Sequence, residues 1–279
     1  MTDRDPSCLP YPHGVRLTLA YDGKPFAGFQ RQPEARTIQG EFEAAAARIT
    51  QHPVSARGAG RTDAGVHAEG QVVAFDTQRE LAPLRWLLAL NRYLPPEIAV
   101  QDAAACAPGY DPRFDAIDKT YRYLFYLGMA RDPLWRDRAW HLARAGTRAA
   151  DGGVELDFAA MRDAAARLIG EHDFRAFRAA DDLRENTIRT LYRVELIEAY
   201  LGRAKLLALE VQGSAFMKNM VRILAGTLIA VGRRKLPAAE VGAQLGPSAV
   251  RSRHSETAPA HGLTLVRVRL GRLAAAAMA

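Results

Sequence analysis

The chain has 279 residues, 48% of them hydrophobic, which suffices for a sizeable core in one large domain or two smaller ones and excludes a disordered polymer. Its two cysteines, Cys8 and Cys106, stand far apart with no CxxC pair, and no stretch reaches the roughly 20 apolar residues of a membrane span. A disulfide framework, a thiolate zinc site and a membrane-spanning helix are therefore not indicated.

The net charge is +7, and lysine occurs only at Lys24, Lys119, Lys205, Lys218 and Lys235, so arginine carries the excess. Arginine forks suit phosphate oxygens and stack on bases, which admits nucleic acid as a partner; arginine-biased codon usage accounts for the same count. The reading is of a soluble, cytoplasmic protein, with no membrane partner.

In chain order, residues 1–14, rich in proline and without an apolar leader, read as a flexible tail. "VRLTLAY" alternates, with Val15, Leu17, Leu19 and Tyr21 on one face, as a half-buried strand does. After the loop "DGKPFAGFQRQPEAR", Thr37 can cap a helix with an apolar stripe of Ile38, Phe42, Ala45 and Ile49. The glycine-rich loop "GAGRTDAGVHAEG" leads into a strand, "QVVAFDT", with Val73 and Phe75 facing one way. A helix, "LRWLLALNRYL", follows Pro83 and stops before Pro95-Pro96.

The turn-rich "CAPGYDPRFDAIDKT" marks a domain boundary near residue 110, which gives an N-terminal half over 15–110 and a C-terminal half over 111–270. In the second half, "YRYLFYL" is a strand with Tyr121, Tyr123 and Phe125 on one face. Asp157 caps a helix with Phe158, Met161, Ala165 and Leu168 inward, ended by Gly170. "LYRVELIEAY" and "KLLALEVQG" form an antiparallel pair, and a long helix runs from about Phe216 to Val231, its end marked by Gly232 and the cations Arg233, Arg234 and Lys235. "LTLVRVRL" is the last strand, and 271–279 reads as a second flexible tail. The class is α+β, two halves each laying helices on a mostly antiparallel sheet.

Asp63 is the one carboxylate between Gly58 and Ala68, in the glycine- and arginine-rich part of this loop. Such an aspartate ties its own loop as an Asx turn, or does chemistry. His67-Ala68-Glu69 matches half of a zinc nucleobase deaminase signature, but the PCxxC half is missing, and His67 reads as a loop histidine with a local hydrogen bond. Neither GxxxxGK[ST] nor GxGxxG opens a helix, so a nucleotide cofactor is not supported.

"GRTDAGVHAEGQVVAF" resembles the catalytic stretch of the TruA family of tRNA pseudouridine synthases. Further segments agree in order: "YDGKPFAGFQRQP", "KTYRY", "HDFRAF", "GSAFMKNMVR" and "TAPAHGLTL". The resemblance spans about residues 15–270. It implies two α+β halves whose sheets join into one, with the active site in a basic cleft between them. It also implies a homodimer that isomerises uridine to pseudouridine at positions 38–40 of the tRNA anticodon arm, using neither metal nor nucleotide cofactor.

By that resemblance Asp63 is the catalytic aspartate; an ordinary aspartate, pKa near 3.9, is ionised at neutral pH and is nucleophilic or basic in a dry site. Whether it adds to C1′, adds to C6 or removes a ribose proton stays open. Arg61 helps to hold the flipped nucleotide, Tyr121 packs against the target base, and Arg222 stands against the carboxylate. Lys218 is expected one helical turn from Arg222, and Leu263 or Leu265 floors the pocket. Thr264, where the family has an aromatic, and "FRAADDLREN" depart from the pattern. A reading from another class is a non-catalytic RNA-binding protein using the same basic cleft.

Overall fold

The computed structural model describes residues 11–143 and 154–271. Cys8 and most of both expected tails lie outside them. Backbone contacts divide the chain into two compact units: one takes the chain up to Ile117 together with the stretch from Leu265 onward, and the other is Asp118–Thr264. Among the described residues, no helix is long and apolar enough to cross a membrane. The fold is α+β with mostly antiparallel pairing, as the pattern predicts.

The first unit opens with β1 (His13–Tyr21), α1 (Ile38–Thr50), β2 (Arg57–Gly58) and β3 (His67–Thr77). α2 (Pro83–Tyr93), β4 (Ile98–Cys106) and the short α3 (Pro112–Asp115) follow. β1 is central to the β4-β1-β3 stretch and antiparallel to both neighbours, in register Leu17↔Val73 and Leu17↔Ala103. Val15, Leu17, Leu19 and Tyr21 are buried as their alternation requires. Thr37 caps α1, its Oγ1 accepting from the Gly40 N–H at 3.2 Å, which satisfies one donor the first turn leaves open. Phe42, Phe75 and Trp86 meet edge to face at centroid separations of 5.8 and 5.3 Å, joining α1 and α2 to one face of β3.

β3 is buried on both faces, Val72 and Ala74 as well as Val73 and Phe75, and it starts at His67, four residues before the apolar alternation. β4 has no counterpart in the sequence reading. Its "IAVQDAAAC" is poor in β-branched residues, and it is a strand because an edge of β1 is there to pair with.

The second unit carries β5 (Ala116–Tyr126), β6 (Trp140–His141), α4 (Phe158–Arg167), β7 (Gly170–Asp173), β8 (Ile188–Ile197) and β9 (Leu206–Gly213). α5 (Met220–Gly232) and α6 (Ala238–Ala243) complete it, and β10 (Leu263–Leu270) leads out of it. The strand order is β5-β9-β8-β7, all antiparallel, with β6 parallel to β5. The expected β8–β9 pair is present, and Asp157 caps α4 by accepting from the Ala160 N–H at 3.0 Å. α5 is apolar almost all round and buried accordingly.

α5 begins later than its apolar run suggests. Asn219 sits in the left-handed region (φ 61°), and the groups before it are taken elsewhere: the Ala179 N–H donates to the Lys218 carbonyl at 3.0 Å, and the Lys218 N–H to Asp182 Oδ2 at 3.0 Å. Lys218 is therefore in a turn and not on the helix. Its Nζ is 2.5 Å from Asp181 Oδ2, which corrects the expectation that it shares a helical face with Arg222.

Candidate active site

Asp63 lies half-buried between β2 and β3, in a loop held from several sides within the first unit. Thr62, beside it, is buried, and its Oγ1 is 2.8 Å from the Tyr21 hydroxyl of β1. Burial pushes the Tyr21 phenol up to about 12 against the opposing hydrogen bonds of Thr62 and Gln71. The hydroxyl thus stays protonated and keeps its place in this bond at neutral pH. Gln71, fully buried on β3, donates from Nε2 to the Gly60 carbonyl at 2.9 Å, and the Ala59 N–H donates to the Val72 carbonyl at 2.8 Å. The turn itself is closed by backbone: the Val66 N–H donates to the Asp63 carbonyl at 3.1 Å, with Gly65 at φ +80°.

The loop after β1 braces the same turn. The Phe29 N–H donates to the Thr62 carbonyl at 3.0 Å. Gly28, at φ +105°, lies so close that a Cβ there would stand 3.0 Å from Thr62 O and 3.3 Å from Ala64 N; at Gly23 a Cβ would stand 1.9 Å from Val66 O. Both glycines are needed for close backbone approach. His67 Nδ1 is 3.2 Å from the Gly23 N–H and 3.1 Å from Asp22 Oδ1, and the ring is 3% exposed. His67 is thus a buried brace across 44 residues at the start of β3, not a loop histidine with a local bond. Arg61 is exposed on the same loop, and Leu265 is 1% exposed in β10.

In the second unit, Tyr121 sits in β5 opposite Val211, 8% exposed, its ring edge-on to Phe216 at 5.0 Å. Tyr123, on the same face, donates its hydroxyl to the Pro259 carbonyl at 2.7 Å. Its phenol is raised far above the ordinary range by burial, while the Arg222 charge works in the opposite direction.

Arg222 projects from the first turn of α5 and is oriented by two bonds: Nε donates to the Ala258 carbonyl at 2.8 Å and Nη1 to Asn219 Oδ1 at 2.7 Å. The 256–258 segment can lie on α5 because Gly226 has no side chain; a Cβ there would stand 2.0 Å from Glu256 O. The left-handed Asn219 thus has two effects, delaying the helix and holding the Arg222 fork.

The departing loop "FRAADDLREN" is tied down around Asp182. Burial opposes that carboxylate's charge, but the N–H groups of Lys218 and Arg184 and the nearby arginines hold it below the usual carboxylate range.

Asp63, Arg61 and Leu265 therefore belong to the first unit and Tyr121 and Arg222 to the second, each set in place by its own unit's contacts. Gln71, Gly28 and Asn219, which position the loop and the arginine, were not singled out by sequence reasoning; their signal is that each lies in or beside a motif segment. Among the described residues, no group of three or more His, Cys, Asp or Glu side chains is placed to share a metal ion.

Comparison with known proteins adds to this geometry. The model of a family described as tRNA pseudouridine synthase matches residues 18–115 and 164–270. The chain is 43% identical over 256 residues to "tRNA pseudouridine synthase A" of Geobacter sulfurreducens, covering 91% of this chain and 98% of that one. The protein of the same name in Syntrophotalea carbinolica is 41% identical over 254 residues (91% and 95%), and that of Myxococcus xanthus 42% over 254 residues (91% and 91%). Among solved structures, an archaeal box H/ACA sRNP Nop10-Cbf5 complex is similar at TM-score 0.37 and 14% identity, over 82% of this chain and 47% of that chain, too distant to add to the assignment.

Proposed function

This chain belongs to the tRNA pseudouridine synthase family, and on that premise we propose that it isomerises uridine in tRNA through Asp63. It is an isomerase. The N1–C1′ glycosidic bond breaks, the uracil turns, a C5–C1′ bond forms, C5 gives up its hydrogen as a proton and N1 takes one up, so atoms balance without a co-reactant.

The observation that carries the assignment is Asp63 itself, within "GRTDAGVHAEGQ" and within the span that the family model matches. Its support is mechanical. A turn fixed by the Tyr21–Thr62 and Gln71–Gly60 bonds holds a carboxylate in one place, which is what a group acting on a single sugar or base requires. Arg61, exposed on the same loop, manages the displaced nucleotide. Tyr121 presents its ring to the target base, Arg222 keeps the acid ionised and aimed, and Leu265 supplies an apolar wall. The substrate region is the anticodon arm at positions 38–40, and two copies of the chain serve one tRNA.

Asp63→Asn tests the central assignment. The amide keeps the shape but is a very poor nucleophile and base, so the variant should fold and bind tRNA near wild type while pseudouridine formation falls by several orders of magnitude. Tritium release from tRNA labelled at uridine C5, read in single turnover, measures it. Turnover retained per folded molecule refutes the assignment. Sedimentation across micromolar concentrations tests the dimer; a fully active monomer would exclude it.

A further inference from the structure

Beside β6, the second unit holds a cavity of about 620 Å³ lined by Met129, Arg131, Arg136, Trp140, His141 and His261. Its size falls in the range of ordinary small-molecule sites, and no carboxylate is among the described residues that line it. The polar lining is two guanidinium groups and two imidazoles. His141 is fixed, its Nε2 lying 2.7 Å from the Gly128 carbonyl oxygen, and Arg136 is drawn to Asp137 at 3.1 Å. The Trp140 ring forms one wall, packed against Tyr123 and Phe125 at 6.5 and 6.1 Å.

A further cation stands behind that wall. Arg233 lies 5.9 Å from the Trp140 ring centre with its side chain only 7% exposed. Its Nη2 reaches the Leu142 carbonyl at 3.3 Å and Nη1 lies 3.9 Å from Glu256, while its Nε is buried with no hydrogen-bond partner. Positive charge so placed, with carboxylates only at its margins, favours an anion in the cavity, and the tryptophan face favours a flat aromatic group beside it.

We propose that this cavity binds one nucleotide of the substrate RNA other than the isomerised uridine, its phosphate on Arg131 and Arg136 and its base against Trp140 and His261. The assignment rests on the pseudouridine synthase reading above. Trp140 packs beside Tyr123 and Phe125, which are two and four residues along β5 from Tyr121 on the same face. At about 3.3 Å per residue the separation is about 7–13 Å, which a neighbouring nucleotide of the same strand can bridge. Aromatic stacking with arginine on the backbone is how proteins hold unpaired nucleotides.

The test uses the full chain and a tRNA transcript carrying 4-thiouridine, irradiated in the near ultraviolet and mapped by peptide mass spectrometry. Cross-links to the 129–143 segment or to His261 are expected. Cross-links confined to other segments overturn the inference, and millimolar uridine monophosphate is expected to reduce those at the cavity while tRNA stays bound. Tritium release from C5-labelled tRNA runs in parallel. Release without a cavity cross-link overturns this inference alone; no release overturns the enzyme reading and this one with it.

Arg131→Ala/Arg136→Ala should weaken tRNA binding about tenfold or more and make the log–log salt slope shallower by about 0.7–0.9, the value of one phosphate contact. Arg85→Ala/Arg92→Ala, exposed on α2, matches the change in charge. Equal weakening by both pairs would show a general field effect and refute a built site.

Discussion

Gly28→Ala perturbs the Asp63 loop from outside it, and the structure gives the size of the effect. A methyl group at Gly28 would meet Thr62 O at 3.0 Å, Ala64 N at 3.3 Å and Asp63 C at 3.4 Å, all backbone atoms that cannot rotate away. Its φ of +105° lies beyond the left-handed well that L-residues tolerate, which costs about 1–3 kcal/mol. Relief requires the two loops to part by a few tenths of an ångström. That stretches the Phe29 N–H···Thr62 O bond at 3.0 Å and the Ile38 N–H···Gly28 O bond at 3.2 Å, for a further ~1 kcal/mol.

The expected loss is about 2–4 kcal/mol, read as a lower denaturant midpoint at unchanged slope. The same displacement reaches Asp63. Since a misplacement of about 1 Å costs on the order of a hundredfold, a few tenths should slow single-turnover tritium release about three- to thirtyfold per folded molecule. Stability lost with an unchanged single-turnover rate would separate the loop's rigidity from catalysis and refute the reasoning; unchanged stability would refute the packing argument itself.

The Tyr21 phenol, raised from its ordinary value of 10.0 to about 12, makes stability fall with alkali: the contribution is complete below pH 10, where both states are protonated, and is lost as pH rises from 10 to about 12 because the unfolded chain ionises first. Melting curves at pH 9 and 11 should show the drop, and Tyr21→Phe should lessen it by an amount on the order of 1 kcal/mol; an identical drop in the variant would exclude Tyr21 as a source. Asn219→Gly relieves a left-handed backbone while removing the Arg222 Nη1 partner at 2.7 Å. Its melting temperature should hold or rise while single-turnover rate falls about tenfold, by analogy with the loss of one charge-assisted bond. A rate at the wild-type level would show that Arg222 does not depend on that bond.

The sequence by itself determines what depends on neighbours along the chain. The alternation of Val15, Leu17, Leu19 and Tyr21, the Thr37 and Asp157 caps, the helix opening at Pro83 and the β8–β9 pair all follow from period-two burial, one side-chain bond or a fixed φ. The family was legible because "GRTDAGVHAEGQ" is long and its companion segments fall in order. Tertiary structure alone decides the rest. β4 is a strand only because β1 offers it an edge, and β3 buries Val72 and Ala74 as well as Val73 and Phe75 because both of its faces, not one, are covered in the fold. α5 starts at Met220 because Ala179 and Asp182, some 40 residues earlier, take the hydrogen-bonding groups of Lys218. His67 has the same origin: its partners Asp22 and Gly23 are remote in sequence, so its spacing to Glu69 suggests a metal half-motif while its bonds brace two loops. These outcomes turn on which distant backbone groups are satisfied and by whom, and a hydrogen bond between residues far apart leaves no periodic trace in the chain.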